Sequence, residues 1–253
     1  MRDRVYRTEA LIIRRQDIGE ADRLLVIATP HGKQRVITRS ARKTSSRLAG
    51  HIELFTHATL MLAIGRTFAI VTQSQVIHSF PGLRTDLPRL GLAYYAVELY
   101  DTFTQEEEPD PHLFQLLLQT FSALDTSVNP HLVLRMYELR LLHNMGYRPH
   151  LHRCAVCREL LTQEASRFSP ASGGVLCIHH RDADPHALPM SLNAFKLLRY
   201  LQTRSLAMVE HVQLSVDLCT EVELLLRAYM RHILERELKS VAFLDYMKYD
   251  LEL

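Results

Sequence analysis

Over the first 80 positions, aliphatic and β-branched residues gather in five short runs. These are ALIIRR (Ala10 to Arg15), RLLVIAT (Arg23 to Thr29), KQRVIT (Lys33 to Thr38), ATLMLAI (Ala58 to Ile64) and FAIVTQSQVI (Phe68 to Ile77). Between them stand Asp17-Ile18-Gly19, Pro30-His31-Gly32, the polar stretch Ser40 to Gly50, and Gly65, all turn-forming in composition. The pattern predicts five strands. Gly32 and Gly65 fall where a hairpin needs a residue at ease with positive φ. No segment of helical period interrupts the five runs, and this many short strands in so little chain suits a small closed barrel of the OB type better than a sandwich.

After Pro81-Gly82 the hydrophobic period lengthens from 2 to 3.6. Leu113, Leu116, Leu117, Phe121 and Leu124 share one helical face, with Pro111 placed for the first turn. Leu90 to Phe103 and Leu132 to Met145 are apolar nearly all round, as helices buried on several sides are; Gly146 and Pro149 end the second. Two more helices are predicted, Leu192 to Gln202 behind an N-capping Ser191, and about Val216 to Arg236 with Val222, Leu225, Leu226, Tyr229 and Ile233 as its stripe. The expectation is an α+β chain of two domains: a five-stranded barrel over 1–80 and a helical domain over 81–253. The short acidic run Glu106 to Asp110 reads as a solvated loop.

Composition narrows the class. Hydrophobic residues are 47% and charged residues 23% of the 253, the mix of a globular protein. No apolar run approaches ~18 residues, and MRDRVYRTEA has no following apolar segment of the secretory kind, so a cytoplasmic protein is expected. The formal charge of +2 conceals an asymmetry: residues 1–80 hold thirteen Lys/Arg against six Asp/Glu, and 81–253 hold seventeen against twenty-two. Arg23 to Ile52 contains Arg23, Lys33, Arg35, Arg39, Arg42, Lys43 and Arg47 and no acidic residue. Such a field attracts polyanions; a basic face serving only solubility is the bland alternative. Lys33, Arg35 and Arg39 alternate along a predicted strand and should share one sheet face, which Arg42, Lys43 and Arg47 extend into a loop. Arg14 and Arg15 add to the module. Its aromatics are only Tyr6, Phe55, Phe68 and Phe80, with no Trp in the chain, so binding through phosphates is expected rather than base reading.

The sharpest chemical signal is Cys154-Ala-Val-Cys157, nineteen residues, then Cys177-Ile-His-His180. Two such knuckles present three thiolates and an imidazole to one Zn²⁺, a closed structural site, one ion per chain, within a finger at about 150–182. His180 fits the spacing best; His179 adjoins it, and His150 and His152 precede the first knuckle. Reduced, buried cysteines are the alternative. Cys219, among Leu218 and Val222, reads as core. No phosphate loop, dinucleotide fingerprint, zinc-protease or serine-hydrolase motif occurs. His179, His180, Asp182, Asp184 and His186 form the one rival cluster: carboxylates and imidazoles are the ligands of a hydrolytic metal centre, but their spacing matches no such motif, and a polar loop bordering the knuckle is the preferred reading. No catalytic residue is expected.

Several stretches resemble one family in order and spacing. TEALIIRRQDIGEADRLLVIATPHGKQRVITRSARKTSSRLAGHIELFTHATLML, LAYYAVELYDTF, PDPHLFQLLLQTF, and LRLLHNMGYRPHLHRCAVC with SGGVLC look like the bacterial RecO family. The most telling parts are Gly19-Glu20-Ala21-Asp22-Arg23, the strand pair around His31-Gly32-Lys33, and Gly146-Tyr147-Arg148-Pro149 before the first knuckle. The resemblance implies an OB-fold, a helical bundle and an inserted zinc finger. It also implies a DNA-repair and recombination mediator that binds single- and double-stranded DNA and anneals strands. The implied partners are the C-terminal tail of single-strand-binding protein, RecR and, functionally, RecA, in the cytoplasm at the nucleoid and with no membrane. Where the family's commoner finger has four cysteines, this chain has His180 in the fourth place. Where the family often has Ala-Lys-Gly-Ala-Arg, it has Thr38-Arg39-Ser40-Ala41-Arg42. A basic barrel with a zinc knuckle would also serve an RNA-binding or transcription factor.

Overall fold

The computed structural model describes residues 5–43, 48–163, 167–205, 208 and 212–251. Each of the five apolar runs is a strand: β1 (Val5–Ile18), β2 (Asp22–Thr29), β3 (Gly32–Thr38), β4 (His57–Ala63) and β5 (Ala69–His78). They close into a barrel in the order β1-β2-β3-β5-β4, with β4 returning to β1. Every pairing is antiparallel except β3 with β5, which is joined at Val36 and Ile37. Ala10, Ile12, Leu25, Ile27, Val36, Leu60, Leu62 and Val71 fill the interior, the positions that alternation along each strand sends inward. A bulge between Ile12 and Arg14 resets the alternation of β1, so that Arg14 and Arg15 emerge directly after a buried run. Gly32 has the positive φ expected of its hairpin, 97°. Gly65 does not; it is required because a Cβ there would stand 2.0 Å from the carbonyl oxygen of Phe68. Ser40, where the resemblance leads one to expect a glycine, adopts φ 53°.

By compactness the chain forms two units that do not divide at residue 80. The first comprises Met1–Leu87 with Val97–Asp125, the second Pro88–Ala96 with Thr126–Leu253. The barrel unit thus takes in the short helix α1 (Pro81–Thr85), the second half of α2 (Leu87–Phe103) and nearly all of α3 (Pro111–Thr126). All five expected face residues of α3 are buried. Its Phe121 meets Phe55 and Phe80 edge to face, with centroids 5.3 and 5.5 Å apart, which explains why this helix belongs with the barrel. Asp110 caps α3 by accepting from Leu113 N at 2.9 Å.

The second unit holds α4 (Pro130–Asn144), α5 (Leu192–Thr203), α6 (Val216–Leu234) and α7 (Lys239–Leu251), with a small sheet β7-β6-β8 (Gly174–Leu176, Arg167–Ser169, Leu188–Pro189). Helix α4 is buried on all sides as its composition predicts, Arg135 and Glu138 included. The Ser191 hydroxyl caps α5 by accepting from Ala194 N at 3.1 Å, and Ser215 caps α6 in the same way. Helix α7, which no sequence pattern had flagged, places Leu244 and Met247 in the core. None of the described helices is long and apolar enough to cross a membrane.

Candidate metal centre and nucleic-acid face

The two cysteine knuckles are brought together by backbone pairing around β7. His150 N donates to Gly173 O and Val175 N to His150 O, both at 2.9 Å, and Ala155 N donates to Val175 O at 2.9 Å. This clamps the first knuckle against the strand that leads into the second. Gly174 is a condition of it, because a Cβ there would lie 2.4 Å from the His150 carbonyl oxygen. The first knuckle closes through Cys154 N to Glu159 O (2.8 Å) and Arg158 N to Cys154 O (3.0 Å); the second turns through His180 N to Cys177 O (3.0 Å).

One donor atom each from Cys154, Cys157, Cys177 and His180 lies within 4.8 Å of every other. Cys157 Sγ and Cys177 Sγ are 3.9 Å apart, and Cys177 Sγ is 3.3 Å from His180 Nδ1. Tetrahedral zinc at ~2.3 Å from sulfur and ~2.0 Å from nitrogen needs edges of about 3.8 and 3.5 Å, so the donor set fits such an ion. Burial pushes the Cys154 thiol up, but backbone N–H donors from Cys157, Cys177 and Val156 outweigh it and bring the group to about 6. A thiol so disposed is a ready ligand. Among the described residues this is the group whose donors converge for a metal; the rival cluster does not assemble. Asp184 accepts from Ser169 Oγ at 2.5 Å and His186 N at 2.9 Å, and Asp182 pairs with Arg181. His179 stays outside the set, and so does Cys219.

The basic tract of the barrel is less open than its sequence. Lys33 is the correction: its side chain is 10% exposed, and its Nζ donates to the Asp101 carboxylate and carbonyl, each at 2.7 Å, and to Thr104 O at 2.9 Å. All its hydrogens are used, so it does not stand on an open face with Arg35 as expected. Acids that are distant in sequence or just outside the tract meet the other cations. Arg14 pairs with Asp101, Arg15 with Glu53, and Arg35 with Glu106 at 2.6 Å. Arg23 reaches Asp17 and Glu53 at 3.0 and 3.3 Å, and Arg42 reaches Asp17 at 3.3 Å. Arg39 and Lys43 are exposed and have no ion pair among the described residues. Arg47 lies outside the described residues.

Two further exposed barrel cations, Arg7 on β1 and Arg66 between β4 and β5, also lack an ion pair among the described residues. Both fall outside the acid-free tract, although they contribute to the basic count of residues 1–80.

Comparison with known proteins joins these observations. The family model described as Recombination protein O N terminal matches residues 1–80, and that described as Recombination protein O C terminal matches residues 84–242. A DNA repair protein RecO from Roseiflexus sp. (strain RS-1) is 58% identical over 245 residues, 97% of this chain and 87% of its own. Those from Dehalococcoides mccartyi (strain CBDB1) and Symbiobacterium thermophilum are 38% and 34% identical, the first over 96% of both chains, the second over 96% of this chain and 98% of its own.

Proposed function

The chain belongs to the Recombination protein O family, and from that premise we propose that it acts in DNA repair as a non-enzymatic, cytoplasmic recombination mediator. In this reading the OB barrel binds single-stranded DNA without sequence preference, promotes annealing of complementary strands, and works with RecR to load RecA. The observation that carries it is the closed barrel with cations left unpaired at its surface, joined to family matches over both parts of the chain. Arg39 and Lys43 are its first phosphate contacts, with the exposed, exchangeable Arg14, Arg15, Arg35 and Arg42, and with Arg23 more enclosed. Lys33 is left out of this set. Contacts of this type fix position on the strand and carry no base information.

Cys154, Cys157, Cys177 and His180 would hold one structural Zn²⁺, whose contribution when bound is to cross-link the finger. Their backbone clamp orients the ligands, and the closed donor set leaves no position for a substrate.

For the acidic tail of single-strand-binding protein, the candidate place in the helical unit is a cavity of about 60 Å³ lined by Pro88, Leu92, His131, Leu244 and Met247 beside Arg135, Arg227 and Glu223, the last paired with Arg227 at 2.6 Å. Arg135 is 3% exposed; its Nε lies 3.2 Å from the Glu138 carboxylate, and its Nη1 has no hydrogen-bond partner among the described residues. The space suits one apolar side chain with its terminal carboxylate on that guanidinium. The experiment for the whole reading is annealing of complementary oligonucleotides, bare and coated with single-strand-binding protein. Acceleration on both substrates is expected; a preference for one folded RNA with no annealing would replace the mediator by an RNA-binding factor.

A further inference from the structure

The acidic run expected to be a solvated loop lies along the barrel. Glu106 forms a parallel bridge with Lys33, and the Glu107 N–H donates to Lys33 O at 2.9 Å. Gly32 admits no side chain, because a Cβ would stand 2.5 Å from the Glu108 carbonyl oxygen. Since β3 pairs with β5 only at Val36 and Ile37, the segment occupies the stretch of β3 that β5 leaves. The Glu106 carboxylate meets Arg35 at 2.6 Å, and Asp101, in the last turn of α2, meets Arg14. Arg14 registers with Val26, and Val26 with Arg35, so the two guanidiniums flank one residue on the outer face of the barrel.

Lys33 is sealed, but the arginines are not. Arg14 is 63% and Arg35 50% exposed at the side chain, and pairs so open to water are weak and readily exchanged. A carboxylate presents two planar acceptor oxygens to a guanidinium, as a phosphodiester does. Glu107, a residue with a side chain, sits at φ 60°, a left-handed conformation whose cost is recovered if the segment lets go. We infer that Glu106–Glu108 is a strap, that the carboxylates of Glu106 and of Asp101 at the end of α2 stand in for phosphates, and that single-stranded nucleic acid takes Arg35 and Arg14 from them when it binds, while Asp101 keeps Lys33. The barrel then carries a latent phosphate site beside the open one, and apparent affinity is lowered by the fraction of molecules with the strap in place. The inference rests on the barrel being the strand-binding module.

A double-mutant cycle tests it, using a labelled oligo-dT strand with wild type, Glu106→Gln, Arg35→Ala and the double variant. Glu106→Gln should tighten binding roughly threefold, the scale of one exposed ion pair, and should do nothing in the Arg35→Ala background. Equal tightening in both backgrounds would mean only long-range charge, and none in either would mean no competition; both overturn the strap. In the wild-type chain, saturation with the strand should speed amide exchange at Glu107, and unchanged exchange also overturns it. Arg39→Glu/Lys43→Glu measured alongside separates the two failures. If that variant binds as well as wild type, the barrel reading fails and the strap with it; if it binds weakly while the cycle is additive, the strap alone fails.

Discussion

Lys33 and Arg39 come from one basic tract, yet their surroundings give them opposite roles. Lys33 is buried and its ammonium has three oxygen acceptors, so Lys33→Ala should cost about 3 kcal/mol by leaving two carbonyls and one oxygen of the Asp101 carboxylate without their donor, Arg14 keeping the other. Urea denaturation measures this, and the folded variant should keep most of its affinity for DNA. Arg39 lies exposed beyond the end of β3, and its reversal should change stability by no more than about 0.5 kcal/mol. Nothing in the sequence distinguishes the two, because the partners of Lys33 lie 68 and 71 residues away. Ser40 has φ 53°, a left-handed conformation that a glycine would adopt more readily. Ser40→Gly should raise stability by up to about 1 kcal/mol, the relief of a left-handed serine less the entropy glycine adds to the unfolded chain. A shift of the urea midpoint downward would contradict that account.

Elements defined by short-range pattern were legible: five strands from β-branched runs, α3 from its 3.6-residue stripe, α5 from Ser191, and the metal knuckles from C-x2-C and C-x2-H. Those set by long-range contact were not. Helix α7 follows no strong stripe, and the acidic strap is held by backbone bonds to β3 rather than by its own pattern. For the finger, purified protein should carry about one zinc per chain, and Cys154→Ser/Cys157→Ser should abolish it with little effect on DNA affinity. Equal zinc in both proteins would rule the site out. Acid should loosen the same element. The Ser169 hydroxyl, ahead of the His186 amide, holds the Asp184 carboxyl below its usual range despite opposing desolvation. The stabilisation is therefore full above the unfolded value of ~3.9 and is lost as pH falls through the lower folded value. Ser169→Ala should remove much of that acid sensitivity, read as the pH dependence of protection in the finger amides.

At the scale of the molecule, the sequence reports where charge lies along the chain but not where it is neutralised in space. The excess of thirteen basic over six acidic residues in 1–80 is real, but Asp101 and Glu106 arrive from beyond residue 80 to meet Arg14, Lys33 and Arg35. The division of the chain shows the same limit, since α3 belongs by compactness with the barrel that precedes it. Within the described part of the tract, the cations without an ion pair are reduced to Arg39 and Lys43, on which the proposed binding face centres. The most direct test is the affinity for single-stranded oligonucleotides of several sequences across a salt series, for wild type and Arg39→Glu/Lys43→Glu. Binding should weaken alike on all sequences, and the slope of log affinity against log salt should become shallower by roughly 0.7 for each of the two lost contacts. A folded variant with unchanged affinity and slope would contradict the barrel as the strand-binding module.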